Sequence, residues 1–174
     1  TLTNSENGAI TTLTNTGTIS GTFNNSGALT TLTNQGAISD TLNNSGAITT
    51  LTNSENGTIT TLTNTGTINY ISNTGTVSAG NNIGIFNDGG TITTLDNSQS
   101  NLTYKGVLPT NYNAIINSPS DYGKITFSDA SGATNFGVHA SSTLAVGTYD
   151  SVMSGLTSSN LTISGTVASP NACN

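Results

Sequence analysis

The stretch NNSGAITTLTN, residues 43–53, holds neither a charged nor an aromatic residue, and near copies of it recur over residues 1–98. Each copy runs apolar residue, any residue, Asn, any residue, Gly, any residue, apolar residue, and then two or three polar residues. Residues 1–20 and 50–69 are identical at 18 of 20 positions. The copies begin at Leu2, Leu13, Phe23, Leu32, Leu42, Leu51, Leu62, Ile71 and Phe86, with a degraded copy from Leu95. A repeat this regular predicts an architecture of stacked, equivalent units.

Within a unit the period is two, because the apolar residues, the Asn and the Gly occupy alternate positions, as Leu32, Asn34 and Ile38 do. Alternation of this kind is typical of a strand with one apolar face, and the Thr, Ile and Val content favours strands. Two copies carry the longer NSENG, yet Leu51 and Ile59 still fall on the same face. A one-residue insertion would have turned the rest of the strand inside out.

A short strand with one apolar face buries that face when equivalent strands stack ~4.8 Å apart. We therefore predict an all-β parallel β-solenoid, with two units and about twenty residues per coil and roughly five coils in residues 1–98. Gly is expected to supply the backbone angles of the corners. The Asn side chains are expected to form a structural amide ladder. Its members are Asn4, Asn15, Asn25, Asn34, Asn44, Asn53, Asn64 and Asn73, with Asp88 in the ninth copy.

Near residue 99 the repeat stops, and four of the five tyrosines and all three prolines follow. Alternating stretches at 124–128, 134–140, 143–146 and 160–167 are separated by turn residues, which favours antiparallel strands or a small sandwich. We expect residues 99–174 to form an antiparallel capping region on the last coil, because an open solenoid end exposes unpaired strand edges. The N-terminal end begins in mid-repeat, which indicates either truncation or an end that meets another molecule.

Charge is scarce: 6% of the 174 residues are charged, the formal net charge is −6, and the only cations besides His139 are Lys105 and Lys124. This composition argues against nucleic-acid binding and against anionic membrane surfaces, both of which need basic residues. No apolar run approaches the ~20 residues of a membrane helix, so direct membrane insertion is not expected. Because the first residue is Thr, we expect a processed form or a fragment. Cys173 is interpreted as an incidental tail thiol, with an intermolecular bridge as the alternative.

The repeats TLTNTGTI and LNNSGAI resemble the passenger regions of bacterial autotransporter adhesins. The segment YNAIINSPSDYGKITF, followed by FGVHASSTLAVGTYDSVMSGLTSSNL, is similar to the stretch that some of these proteins carry before their membrane anchor. The resemblance covers essentially the whole chain. It implies export to the bacterial surface, and a role as an adhesin, a self-associating surface protein or, less often, an enzyme.

Few residues suit catalysis. His139 could form a Ser–His–Asp triad with a serine and with Asp129 or Asp150, but the sequence contains no nucleophile-elbow motif for the serine. A surface or turn histidine is the simpler interpretation. Glycan-cleaving solenoids need clustered carboxylates. Glu6 and Glu55 occupy equivalent positions five units apart, which predicts opposite sides of the solenoid. We expect no catalytic residues and no enzyme activity.

Three patterns in the sequence could indicate a binding site. Residues 87–90 (NDGG) with Asp96 could suit Ca²⁺, but the GGxGxD repeat of calcium-binding solenoids is missing, so a structural turn is favoured. Outward threonines of the TLT motifs could form the flat array that ice-binding solenoids use. A tyrosine surface could stack on sugars, although half-buried positions explain the tyrosines equally well. These tyrosines are Tyr104, Tyr112, Tyr122 and Tyr149.

The sequence therefore predicts a secreted or cell-surface structural and adhesive protein without cofactor or metal. Expected partners are further copies of itself, stacked head to tail into filaments, and surface glycans. The alternatives are an ice-binding protein and a carbohydrate-binding or carbohydrate-cleaving β-solenoid.

Overall fold

The structure is a computed structural model that describes residues 1–77 and 84–162, and its regular elements are strands apart from one 3₁₀ turn. No helix in these residues is long and apolar enough to cross a membrane. The strands of the repeat are β1 (Leu2–Asn4), β2 (Ala9–Asn15), β3 (Thr18–Ile19), β4 (Phe23–Asn25), β5 (Ala28–Asn34), β6 (Ala37–Asn44), β7 (Ala47–Asn53), β8 (Thr58–Asn64), β9 (Thr67–Asn73), β10 (Thr76–Val77), β11 (Ile85–Asn87) and β12 (Thr91–Asn97). They are followed by β13 (Leu102–Val107), β14 (Asn111–Ala114), β15 (Ile116–Ser118), β16 (Asp121–Tyr122), β17 (Ile125–Ser131), β18 (Thr134–Val138), β19 (Met153–Ser154), the 3₁₀ turn Ser158–Asn160 and β20 (Leu161–Thr162).

The strands form a parallel β-solenoid of about seven turns, as the repeat predicts. Sheet A has the order β1-β4-β6-β8-β11-β13-β17-β19, with β3 beside β6 and β10 beside β8. Sheet B has the order β2-β5-β7-β9-β12-β14-β18-β20. Each coil contributes to both sheets, and the strands of residues 1–98 make five coils. The coils are numbered below from the N-terminal end, so that coil 1 is β1 and β2 and coil 7 is β17 and β18.

The duplicated segments show that one repeat unit builds half a coil. Residues 9–15 form β2 in sheet B, whereas the equivalent residues 58–64 form β8 in sheet A. The same sequence therefore serves both faces of the solenoid. This arrangement works because each unit carries its own apolar stripe, its own Asn and its own corner glycine.

The core is a continuous stack of inward side chains between the two sheets. Coils 3 and 4 each contribute four residues that are at most 1% exposed: Ile38, Leu42, Ile48 and Leu51, then Ile59, Leu62, Ile68 and Ile71. Every inward residue lies directly above its equivalent, since the parallel register pairs Leu42 with Leu62 and Leu51 with Ile71. Burial of this stripe supplies the apolar driving force that a single unit lacks.

The antiparallel sheet predicted near the C-terminus is present but small, since it joins only β15 and β16. The strands around it are parallel: β13 pairs with β11 and β17, and β14 pairs with β12 and β18. The expectation that residues 99–174 form a separate antiparallel region was too broad, because the coils continue while their composition changes. Residues 143–146 are not a strand, and most of 160–167, like Cys173, lies outside the described residues.

The corner glycines serve close stacking, and the prediction that they supply unusual backbone angles is wrong for most of them. Positive φ is confined to Gly89, Gly106, Gly132 and Gly155 among the described glycines. At Gly36, Gly46 and Gly66, by contrast, an added Cβ would come within 3.0 Å of the carbonyl oxygen of the glycine one coil earlier. Only a residue without a side chain lets successive corners approach this closely.

The duplication offers a matched test of this steric role. Gly66 and Gly17 are equivalent residues, but an added Cβ on Gly17 meets nothing within 4 Å. We expect Gly66→Ala to lower the free energy of unfolding by about 1–3 kcal/mol through overpacking, and Gly17→Ala to leave it unchanged or slightly raised. Urea denaturation of both variants measures the difference. Equal effects at the two positions would contradict the steric explanation.

Candidate functional site

Two ladders of buried asparagine side chains run along the solenoid, one at each corner. In each ladder the Nδ2 atom of one coil donates to the Oδ1 atom of the next, over 2.7–3.1 Å. The members are at most 9% exposed. The first ladder is Asn4, Asn25, Asn44, Asn64 and Asn87, and the second is Asn15, Asn34, Asn53, Asn73 and Asn97.

Each side-chain amide also donates to a corner carbonyl, or in Asn73 to Oε1 of Gln99, so its second hydrogen is paired as well. The Nδ2 atom of Asn34 lies 2.9 Å from Oδ1 of Asn53, 3.0 Å from the Gly36 carbonyl and 3.1 Å from the Thr58 carbonyl. A buried amide without partners would cost several kcal/mol, whereas a fully paired one stabilises the turn that holds it. The ladders thus tie each corner to the corner that follows it.

All eight asparagines that the sequence singled out lie in these ladders, four in each. The structure adds Asn87 and Asn97, and it corrects the ninth copy. There the inward pair is Ile85 and Asn87, not Phe86 and Asp88, because β11 aligns Ile85 with Leu62 and Asn87 with Asn64. The spacing between Asn87 and its corner glycine is one residue longer than in most copies, since its Nδ2 atom donates to the carbonyl of Gly90. Because of that extra residue, the repeat pattern places the ninth copy one residue too late in the chain.

The ladders end where aromatic residues enter the core. Asn87 aligns with Gly106 in coil 6, and its Nδ2 atom donates to the Val107 carbonyl, which also accepts the Tyr104 hydroxyl. In the other ladder, Nδ2 of Asn97 lies 3.4 Å from the Tyr112 hydroxyl. Tyrosine hydroxyls therefore replace amides at the last ladder positions, which explains the change of composition near residue 99.

The tyrosines do not form a sugar-stacking surface. Tyr104 and Tyr112 are 0% exposed, and both pack against Phe127. The Phe127 ring centroid lies 5.4 Å from that of Tyr104 and 6.1 Å from that of Tyr112. Burial raises the pKa of both phenols, that of Tyr112 to about 12. Tyr122 is buried as well and meets Tyr149 edge to face at 5.3 Å. The rings of Tyr104, Tyr112 and Phe127 fill the interior of coils 6 and 7 in place of aliphatic side chains.

Truncating one ladder amide should destabilise the chain. Asn53→Ala removes the donor to the buried Oδ1 atom of Asn73 in one neighbouring coil and one of the three acceptors of the Asn34 Nδ2 atom in the other. Since each buried unpaired group costs about 1–3 kcal/mol, we expect a loss of about 3 kcal/mol in the free energy of unfolding. Asn56→Ala, at an exposed position three residues away, is the control. The ladder would be energetically unimportant if both variants unfolded at the same urea concentration.

Stability should fall in alkali. The buried Tyr112 phenol keeps its proton in the folded chain up to a pKa of about 12, whereas the unfolded chain releases it near the ordinary value of 10.0. The unfolded state then binds fewer protons, so the free energy of unfolding decreases as pH rises from 10.0 towards about 12. Tyr112→Phe should reduce this slope and change little at pH 7. Urea denaturation over that pH range measures both, and an unaltered slope would argue against the burial of Tyr112.

His139 belongs to a polar cluster on the outer face of sheet B. Its Nε2 atom lies 3.3 Å from a carboxylate oxygen of Asp96. The Asp96 side chain is 2% exposed, and its carboxylate also accepts hydrogen bonds from the Tyr70 hydroxyl and from Nδ2 of Asn113. Burial and the Asp96 carboxylate raise the pKa of Tyr70 to about 12. The cluster links four coils, and sequence reasoning missed Asp96 as the partner of His139.

The histidine contacts a serine in its own turn. Nδ1 of His139 lies 2.8 Å from Oγ of Ser141 and also accepts the Ser141 backbone N–H at 3.2 Å. Because Nδ1 accepts a hydrogen bond, Nε2 of the neutral ring carries the hydrogen, and this N–H donates a hydrogen bond to the Asp96 carboxylate. The two aspartates considered from the sequence lie elsewhere: Asp129 pairs with Lys105 at 3.0 Å, and the Asp150 carbonyl accepts the Tyr122 hydroxyl.

The remaining carboxylates are dispersed. Glu6 lies at a corner where the chain passes from sheet A to sheet B, and Glu55 lies at a corner of the opposite kind, as expected. Asp88 is exposed. In residues 1–77 and 84–162, no group of three or more His, Cys, Asp or Glu is arranged to hold a metal ion.

Outward threonines form an ordered array that is short. On sheet B, Thr12, Thr31 and Thr50 make one column, and Thr14, Thr33 and Thr52 make a second. Tyr70 and Ser72 end both columns in coil 4. The array therefore extends over three coils, or roughly 10 Å at the strand spacing.

Comparison of the chain with protein-family models, with curated proteins and with solved structures finds no match. The assignment of function accordingly depends on the residues and geometry described above.

Proposed function

We propose that the chain is a rod segment of a secreted or cell-surface structural and adhesive protein, without enzymatic activity. The observation that carries the proposal is the pair of buried amide ladders, which run in register with the stacked core through five successive coils. Such stacking resists bending and twisting, because each ladder amide after the first coil is bonded to the coils on both sides.

The surface suits multivalent contact more than chemistry. Its side chains are mostly Thr, Ser and Asn, and the low charge reduces repulsion between neighbouring molecules. A repetitive face offers the same weak contact many times, so that binding strengthens through avidity. The likeness of the repeats to autotransporter adhesin passengers supports the same location and role.

Strand addition at the N-terminal edge is the proposed route of self-association. The backbone N–H of Leu2 donates to Thr22, and the carbonyl of Asn4 accepts from Ser26, so the backbone groups of Thr3 face away from the next coil. A second copy of the chain is the partner proposed for this edge. Coil 7 exposes Phe136 by 44%, which offers the incoming copy an apolar surface at the other end.

Negative-stain electron microscopy at several protein concentrations tests this function. We expect stiff rods that lengthen into filaments as concentration rises. Thr3→Pro removes one outward backbone donor, and we expect it to leave the rods intact while suppressing their growth. Compact or flexible particles would contradict the rod. Short rods of constant length at every concentration would contradict the end-to-end stacking alone.

A further inference from the structure

One side of the solenoid carries a groove of about 690 Å³, within the range typical of small-ligand sites. It follows four successive corners that lead from sheet B to sheet A, to which Glu55, Thr74, Gln99 and Asn117 belong. At ~4.8 Å per coil these corners extend roughly 14 Å along the solenoid. We propose that this groove binds an uncharged oligosaccharide, which would give the proposed adhesive function its ligand and rests on that function.

The walls of the groove are held in place before any ligand arrives. Oε1 of Gln99 accepts the Val77 backbone N–H at 2.8 Å, and its Nε2 atom donates to Oδ1 of Asn101 at 2.9 Å. At the far end, the β15–β16 hairpin forms the wall, and Nδ2 of Asn117 donates to Oδ2 of Asp121 at 3.1 Å. Groups fixed in this way lose little conformational entropy when a ligand binds.

The chemistry of the lining favours a neutral polyol. Hydroxyl and amide side chains dominate it, and Ile115, 7% exposed, is the one large apolar side chain among the described lining residues. Glu55 and Asp121 add carboxylate oxygens that accept hydrogen bonds from hydroxyl groups. These lining residues include no Lys, Arg or His, so a sialylated or sulfated glycan would meet two carboxylates without a compensating cation.

A peptide strand fits the groove less well than a sugar. Strand addition requires unpaired backbone groups, but the corner N–H groups are already bonded within the solenoid. Gly75 donates to the Asn53 carbonyl at 3.1 Å, and Ile115 donates to the Asn97 carbonyl at 2.8 Å. What remains available along the groove is a row of side-chain donors and acceptors.

The spacing of the carboxylates favours binding over cleavage. Glu55 lies in the first of the four corners and Asp121 in the last, so the two are separated by three coils, or roughly 14 Å. The acid pairs of glycosidases lie about 5–9.5 Å apart. The two carboxylates are therefore placed to contact different sugar rings of one bound chain.

The duplication provides a matched control for the binding test. Glu6 occupies the same sequence context as Glu55 but lies at an opposite corner, beside a smaller depression of about 470 Å³. The 174-residue chain and its Glu55→Gln and Glu6→Gln variants are screened by saturation-transfer NMR against uncharged, sialylated and sulfated oligosaccharides. We expect an uncharged oligosaccharide to bind, Glu55→Gln to weaken it about tenfold, and Glu6→Gln to leave the Kd unchanged.

The proposal fails if no uncharged oligosaccharide binds, if only the charged ones bind, or if Glu55→Gln and Glu6→Gln have equal effects. Electron microscopy of the same samples separates this failure from that of the proposed function. Stiff rods without glycan binding would remove the groove as a site and leave the structural function standing. Loss of the rods themselves would remove the structural function.

Discussion

The hydrogen bond between stacked asparagine amides is the interaction on which the rest of this structure depends. A strand with one apolar stripe and polar corners can stack only if the polar groups that the stacking buries find partners. Asparagine solves this problem because its side chain donates and accepts along the same axis, so Asn44 accepts from Asn25 and donates to Asn64. The glycines then allow the corners to approach closely enough for those bonds to form.

Coils 6 and 7 keep the same geometry by different means. Their interior holds Tyr104, Tyr112 and Phe127 in place of aliphatic residues, and tyrosine hydroxyls stand where the ladder amides end. An aromatic ring fills more of the space between the two sheets, and the Tyr104 hydroxyl reaches the Val107 corner carbonyl, which also accepts from Nδ2 of Asn87. Repetition and aromatic packing are therefore two solutions for one coil shape. The composition change does not mark a change of fold.

The repeat was sufficient to predict the solenoid, the two units per coil and eight of the ten ladder asparagines, because period-two alternation and a recurring Asn leave few alternatives. It could not reveal the role of the corner glycines, since the clash at Gly66 involves a backbone atom twenty residues away. Nor could it pair Asp96 with His139 or place Glu55 and Asp121 along one groove. Those placements depend on coils of unequal length, which a repeat pattern does not show.

The chain thus combines a β-solenoid that carries few charged residues with one irregular side, where loops of coils 3–6 and the β15–β16 hairpin form a groove. The central claim, that buried amide ladders hold the coils together, is tested most directly by NMR hydrogen exchange of asparagine side chains. We predict slow exchange of the Nδ2 protons of Asn44, which is 1% exposed, and fast exchange at the exposed Asn56. Equally fast exchange at both residues would contradict it, because it would mean that water reaches the ladder as readily as the surface.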